Sequence, residues 1–403
     1  MRRRGLIFIG IFFVTIVCLH PTWPVWCQSQ PELTLHSEAA VLMDGMTGQI
    51  LFTKNPDKRF SPASLVKIMT LYLAFDAIKR GNVQFDQEVV VSKRAWKMGG
   101  SQMFLEVGDK VKFIELIKGV AAISANDAAL AIAEFLTGSE EVFVHQMNEK
   151  VSTLGLKHTH FVNPHGLYAK DQQTSAIDMA SLGLHYIGEH PDALKFHALP
   201  EHTYRGIKQK NWNPLLKRDK SVDGLKTGYL RRTGYHFLFS AKKDNQRFIG
   251  VVMGAKTGEK RDNDALKLIG YGFKNFSTLT LVKEGDVVGK VKVPNGDPPE
   301  LSLFATKTLI VTVRKNTKES IPLSKEIPSS ADPPIKQGDI LGKLVLDGQE
   351  FSRIEVDLVA SQDVLPKSYT KYYIIGSAAM LSLLVFFYWR RRLPRKKRKK
   401  RKK

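Results

Sequence analysis

The chain has 403 residues, 43% of them hydrophobic, and a formal net charge of +22, which is long enough for two globular domains. That charge sits largely at the two ends: Arg390 to Lys403 holds 12 Lys or Arg and no acid, and Arg2 to Arg4 add three more. Removing those 15 leaves +7, a mildly basic remainder that gives no argument for nucleic acid as a partner.

Residues 1–27 have the three parts of a secretory signal: Arg2-Arg3-Arg4, an apolar run from Leu6 to Leu19, and a short polar-to-small exit. Cleavage is expected after Cys27; a lipoprotein site at Cys27 is disfavoured by the bulky Trp26 before it. Both cysteines, Cys18 and Cys27, fall in this segment. The mature chain then has no thiol, and disulfides, cysteine nucleophiles and thiolate metal sites are excluded.

Residues 38–53 read as a hairpin, two apolar strands around the turn signal Asp44-Gly45-Met46-Thr47-Gly48. A helix is predicted over Leu65–Ile78, with Ser61 or Ala63 near its start and Arg80-Gly81 after its end. Residues 109–136 are helical in pattern and broken at Ser124-Ala125-Asn126, and a further helix runs to about Leu154. The loop Asn163–Gly166 follows, then a helix over Ile177–Ile187. From Ser221 the period shortens, and Gly224–Gly228, Tyr235–Lys242 and Arg247–Ala255 read as adjoining strands before a closing helix over Asp262–Phe273. Strands first and last with helices between predict a sheet covered by helices, an α+β or mixed α/β domain. After Phe276 come short β-branched runs separated by Gly, Pro and Asp, an all-β domain with Ile327–Pro334 as a solvated loop. Tyr372–Trp389 is an uncharged 18-residue stretch, about 27 Å as a helix against roughly 30 Å of hydrocarbon. With aromatic residues at both ends and the basic cluster behind it, it predicts a single membrane span, the tail cytoplasmic and residues 28–371 outside.

Candidate chemistry begins at Ser64 and Lys67. Three residues is about one helical turn, so hydroxyl and amine share a face, and a neutral Lys can take the proton that makes a Ser hydroxyl nucleophilic. The pattern also occurs at Ser240–Lys243 and Ser368–Lys371, so it needs partners. Ser124-Ala125-Asn126 is the chain's one Ser-x-Asn; it either caps a helix or supplies a proton-relaying hydroxyl and a binding amide. Lys226-Thr227-Gly228, on a predicted strand, offers a cation and a hydroxyl for a carboxylate, with Gly228 allowing close approach. Lys256-Thr257-Gly258 repeats the triplet and reads better as a surface turn.

Ser-x-x-Lys, a Ser/Asn motif and Lys-Thr-Gly occur here in that order, the combination found in β-lactamases and penicillin-binding proteins. The chain resembles the low-molecular-mass penicillin-binding proteins of the serine D-alanyl-D-alanine carboxypeptidase family. The likeness is also carried by Gly99–Leu105, Ser124–Asp127, Asn163–Leu167, Asp223–Gly228 and Leu268–Phe273. It implies a penicillin-recognising catalytic domain over 32–277 with a five-stranded antiparallel sheet between helices, a β-sandwich stalk over 278–366, the span 372–389 and a tail at 390–403. It further implies removal of the terminal D-alanine from peptidoglycan stem pentapeptides, and covalent binding of β-lactams. In that scheme Lys67 takes the Ser64 proton, Ser124 passes a proton to the leaving D-alanine, and Asn126 orients Lys67 and substrate. Lys226 and Thr227 hold the terminal carboxylate. Arg261 would be a second cation there, although Lys256–Arg261 is basic in any case. Backbone N–H groups of Ser64 and Tyr229 would form the oxyanion hole, and no metal or cofactor is required.

The chain departs from the family pattern in two places. Tyr229-Leu230-Arg231-Arg232 replaces the usual His-Thr and small acidic stretch, and Gly166-Leu167-Tyr168-Ala169-Lys170 lacks an acidic residue. A β-lactamase is disfavoured because no Glu-x-x-x-Asn lies between Ser124 and Lys226. The alternatives that stay open are a D,D-endopeptidase of peptidoglycan crosslinks and a β-lactam-acylated sensor with little turnover.

Overall fold

The structure, a computed structural model, describes residues 33–315, 321–348, 351–368 and 370–392. The expected signal segment 1–27 and the tail from residue 393 lie outside them.

The expected hairpin is present as β1 (Ala39–Asp44) and β2 (Ile50–Lys54), and the three later strands as β3 (Val222–Leu230), β4 (Gly234–Lys243) and β5 (Gln246–Ala255). They form one antiparallel sheet in the order β2-β1-β5-β4-β3. The first hairpin therefore joins the last through β1, and β3 is left as an edge strand. Alternation along the strands gives the sheet two apolar faces. On one, Leu238 and Ile249 meet Gly183 of α5 (Ala176–Glu189); on the other, Leu42 and Phe248 meet Gly272 of α6 (Gly258–Asn275).

The other helices of more than ten residues before the all-β region are α1 (Lys67–Lys79), α2 (Phe113–Ile123), α3 (Asn126–Thr137) and α4 (Glu140–Thr153). Almost every side of α1 is apolar, which suits a helix enclosed by others, and Ile68, Met69, Leu71 and Tyr72 are fully buried. Among its buried polar residues is Asp76, which receives His190 Nε2 at 2.8 Å and Lys150 Nζ at 3.0 Å. Burial works to raise the Asp76 carboxyl, but those hydrogen bonds outweigh it and hold it below its ordinary value. The start of the long helical pattern differs from expectation, since Lys110–Lys112 pairs with Glu88–Val90 as a short ribbon, whereas the expected break is present at Ser124, between α2 and α3.

The all-β region has strands β6 (Phe276–Val282), β7 (Val287–Lys292), β8 (Glu300–Ala305), β9 (Leu309–Arg314), β10 (Leu323–Glu326), β11 (Ile340–Gly348) and β12 (Phe351–Ala360). β7-β8-β12-β11-β10 make one sheet, and β6 with β9 a second. Leu301, Leu303, Leu344, Val356 and Leu358 form part of its own core. Polar bonds tie it to the first domain: Thr278 Oγ1 donates to Asp44 Oδ2 at 2.6 Å, and Thr47 and Thr312 hydroxyls meet at 2.9 Å. A final helix, α7 (Thr370–Arg392), contains the 20-residue stretch Tyr373–Arg392, long and apolar enough to cross a membrane.

Candidate active site

Ser64 is not inside α1 but in the 3-10 turn Ala63–Val66 that leads into it. A 3-10 turn repeats every three residues, so the spacing from Ser64 to Lys67 brings the two side chains onto one side. Ala63 has a φ of 50°, a left-handed conformation rare for a residue with a side chain. That turn is fixed from two directions by glycines. A Cβ on Gly166, itself at φ 84°, would clash with the Ala63 carbonyl, and one on Gly228 would stand 3.2 Å from Pro62 O and 3.3 Å from Ser64 N.

Lys67 Nζ lies 3.2 Å from Ser64 Oγ, donates to Asn126 Oδ1 at 2.6 Å, and donates to the His165 carbonyl. Asn126 is held in turn: its Nδ2 donates to Gly99 O at 2.6 Å and its N–H to Ser101 O at 2.7 Å. Its neighbour Asp127 accepts the backbone N–H groups of Met103 and Leu105, which pins the 99–105 loop beside the site. Burial keeps the Asp127 carboxyl above its ordinary value, against those same N–H groups.

Lys67 is completely buried, with oxygen ligands that are formally neutral. Burial, and then the charge of Lys226, pull its amine well below the ordinary lysine value, with Asp127 acting weakly the other way. Lys226, on β3, is pulled down to about 7 by burial and by Arg261. Its Nζ donates to Thr227 O at 3.2 Å. Arg261, on α6, pairs with Asp262 through Nε at 2.8 Å and a terminal nitrogen at 2.6 Å. Its guanidinium lies 5.7 Å from the ring of Phe237, the β4 residue opposite Thr227. Lys67, Lys226 and Arg261 therefore act on one another electrostatically, and among the described residues the carboxylate paired with any of them is that of Asp262, on Arg261.

Ser124 ends α2 at φ 63°, and its buried hydroxyl has no hydrogen-bond partner among the described residues. A polar atom kept buried and unpaired is costly without a ligand to complete it. The Tyr229 ring points outward, half exposed, and stacks on Tyr235 with centroids 4.3 Å apart. The repeated Lys256-Thr257-Gly258 triplet lies at the surface as expected, in the bend before α6, where Thr257 caps the helix and accepts Lys260 N at 3.1 Å.

The structure thus brings Ser64, Lys67 and Asn126 into direct contact, with Gly228 against Ser64 and with Lys226 and Arg261 as charged neighbours. Sequence reasoning missed the carbonyls of His165 and Gly99, the Asp262 partner of Arg261, and His197, whose Nδ1 meets Leu225 O at 3.1 Å under β3. Backbone acceptors leave no side-chain signature. The left-handed Ala63 has none either, except the two glycines packed against it.

A family model described as D-alanyl-D-alanine carboxypeptidase matches residues 26–257, and one described as the penicillin-binding protein 5 C-terminal domain matches 276–365. The chain is 37% identical over 342 residues to D-alanyl-D-alanine carboxypeptidase DacF of Bacillus subtilis, covering 83% of this chain and 87% of that one. Penicillin-binding protein 5 from Haemophilus influenzae superposes with a TM-score of 0.75 at 35% identity, over 82% of this chain and 98% of that one. Penicillin-binding protein D2 from Listeria monocytogenes, in its ampicillin bound form, gives 0.56 at 30% identity, over 60% of this chain and 100% of that one.

Proposed function

The chain belongs to the D-alanyl-D-alanine carboxypeptidase family, and from that premise we propose that it removes the terminal D-alanine of peptidoglycan stem pentapeptides through an acyl-enzyme on Ser64. The observation that carries the assignment of roles is the seat of Lys67: a buried amine beside Ser64 Oγ, fixed by Asn126 and His165, with its proton affinity lowered. Such an amine is neutral often enough to act as a base.

Ser64 gives its proton to Lys67 Nζ as Oγ attacks the penultimate D-alanine carbonyl. The oxyanion accepts hydrogen bonds from the N–H groups of Ser64 and Tyr229. The C–N bond then breaks, and the departing amine takes a proton through Ser124, whose hydroxyl has no partner among the described residues. Lys226, Thr227 and Arg261 hold the terminal carboxylate. Water attacks the ester, releasing the shortened peptide and restoring the Ser64 hydroxyl. A β-lactam enters by the same attack, its amide bond opening as the Ser64 ester forms.

The domain limits 32–277 and 278–366 belong to the same reading, supported by the two family matches. So does the topology: a signal over 1–27, a membrane span near the C-terminus, a basic tail on the cytoplasmic side, and the catalytic domain outside.

The test is D-alanine release from a pentapeptide by the full-length chain in detergent, beside Ser64→Ala, with mass analysis of the penicillin adduct. Release that disappears in the variant, with the adduct on the Ser64 peptide, is expected. An adduct without release would replace this reading by the sensor, and cleavage of crosslinked dimers alone would replace it by the endopeptidase.

A further inference from the structure

On the carboxypeptidase reading, β3 orders the substrate along its length: Lys226 and Thr227 take the terminal carboxylate, and Gly228 and Tyr229 flank the scissile carbonyl. As β3 is an edge strand, a peptide can lie along its open side, and its upstream residues then run past Leu230 toward the turn to β4. That turn carries Arg231 and Arg232, both exposed. At about 3.3 Å per strand residue they lie some 7–10 Å beyond Tyr229. An extended peptide covers that distance in two or three residues counted from the penultimate D-alanine itself, at about 3.3–3.6 Å each.

Neither arginine has a carboxylate partner within 4 Å among the described residues, unlike Arg218, Arg247 and Arg261. Arg232 is nonetheless held: its guanidinium carbon stands 5.0 Å from the centre of the Tyr168 ring. Tyr168 follows Gly166, the glycine packed on Ala63, so this contact joins the loop on one side of Ser64 to the strand turn on the other. A guanidinium lying on a ring keeps its N–H edge free for a carboxylate. Lys170, two residues beyond Tyr168, is exposed and adds positive charge to the same loop.

We propose that Arg231 and Arg232 form a subsite for a second carboxylate of the substrate, carried one or two residues before the penultimate D-alanine. The enzyme then prefers stem peptides whose upstream residues keep their carboxylates free over those in which they are amidated. The carboxylate could come from the third stem residue's side chain or from the free carboxylate of a γ-linked glutamate at the second.

The experiment compares kcat/KM of the full-length chain on four pentapeptides: free acids at both positions, an amide at the second, an amide at the third, and amides at both. At low ionic strength the free-acid peptide should exceed the diamide by about fivefold, and the advantage should shrink in high salt. The single amide that reproduces the loss identifies the source. In Arg231→Gln/Arg232→Gln the ratio should collapse toward one, with penicillin acylation of Ser64 reporting a folded site. If that double variant is not acylated, Arg231→Gln replaces it, and the ratio should fall part of the way. A ratio near one in the natural chain, or one unaltered in an acylated variant, overturns the proposal. No D-alanine from any peptide overturns the carboxypeptidase reading itself.

Discussion

Charge is managed in opposite ways in the cleft and in the stalk. In the stalk, Lys290 pairs with Glu300, Lys343 with Glu355 and Arg353 with Asp347 and Glu355, on side chains largely open to water. Pairs of that kind contribute little to stability. In the cleft, Lys67, Lys226 and Arg261 are buried, and the carboxylate bonded to any of them among the described residues is that of Asp262, on Arg261. Burying a cation without a counter-ion is expensive, so the cleft is a place where stability is given up for reactivity and the stalk is not.

The largest break in that contrast is Lys67→Met. Removing the base should slow penicillin acylation of Ser64 by at least about 100-fold, followed by stopped-flow or gel fluorescence. Lys226→Met should separate stability from activity. The Lys226 amine falls from the ordinary lysine value of 10.5 to about 7 on folding, so the unfolded chain binds the extra proton between those values. Stability should rise with pH across that window, and below about pH 7 the whole penalty, on the order of 5 kcal/mol at most, is present. The variant should therefore melt several degrees higher at neutral pH while losing peptide turnover. An unchanged or lower melting temperature would contradict this account of the buried cation.

Gly228→Ala is a finer cut. Its Cβ would stand 3.2 Å from Pro62 O and 3.3 Å from Ser64 N, so the nucleophile must shift by a few tenths of an ångström. A loss of tens-fold in kcat/KM is expected, with the melting temperature little altered. The pH profile sharpens the same point: carboxylate capture needs Lys226 charged, so kcat/KM on peptide should decline above about pH 7. Lys226→Arg should carry that decline to higher pH. At the small end, Arg353→Ala in the stalk should leave D-alanine release unaltered and the melting curve nearly so.

The two regions also differ in how far the sequence revealed them. The hairpin at Asp44–Gly48 and the strands of β3, β4 and β5 were legible because turn residues and period-two runs encode them locally. The ribbons at Glu88–Lys112 and Glu201–Lys210 were not, because their strands are three or four residues long, too short for a period to show. Ser64, Lys67 and Asn126 could be found because their side chains carry the motif spacing. The His165 carbonyl accepts through the backbone, and the left-handed φ of Ala63 lies where Gly166 and Gly228 leave room for the turn to pack, tertiary neighbours that no local propensity records.

The central claim is that Lys67 is kept neutral by its burial and by the charge of Lys226, and so can take the Ser64 proton. The most direct test is the pH dependence of Ser64 acylation by penicillin in the natural chain and in Lys226→Met. Because Lys226 helps to lower the Lys67 amine, removing it should move the acidic limb of the profile to higher pH. A limb that stays in place, or moves to lower pH, would contradict the claim.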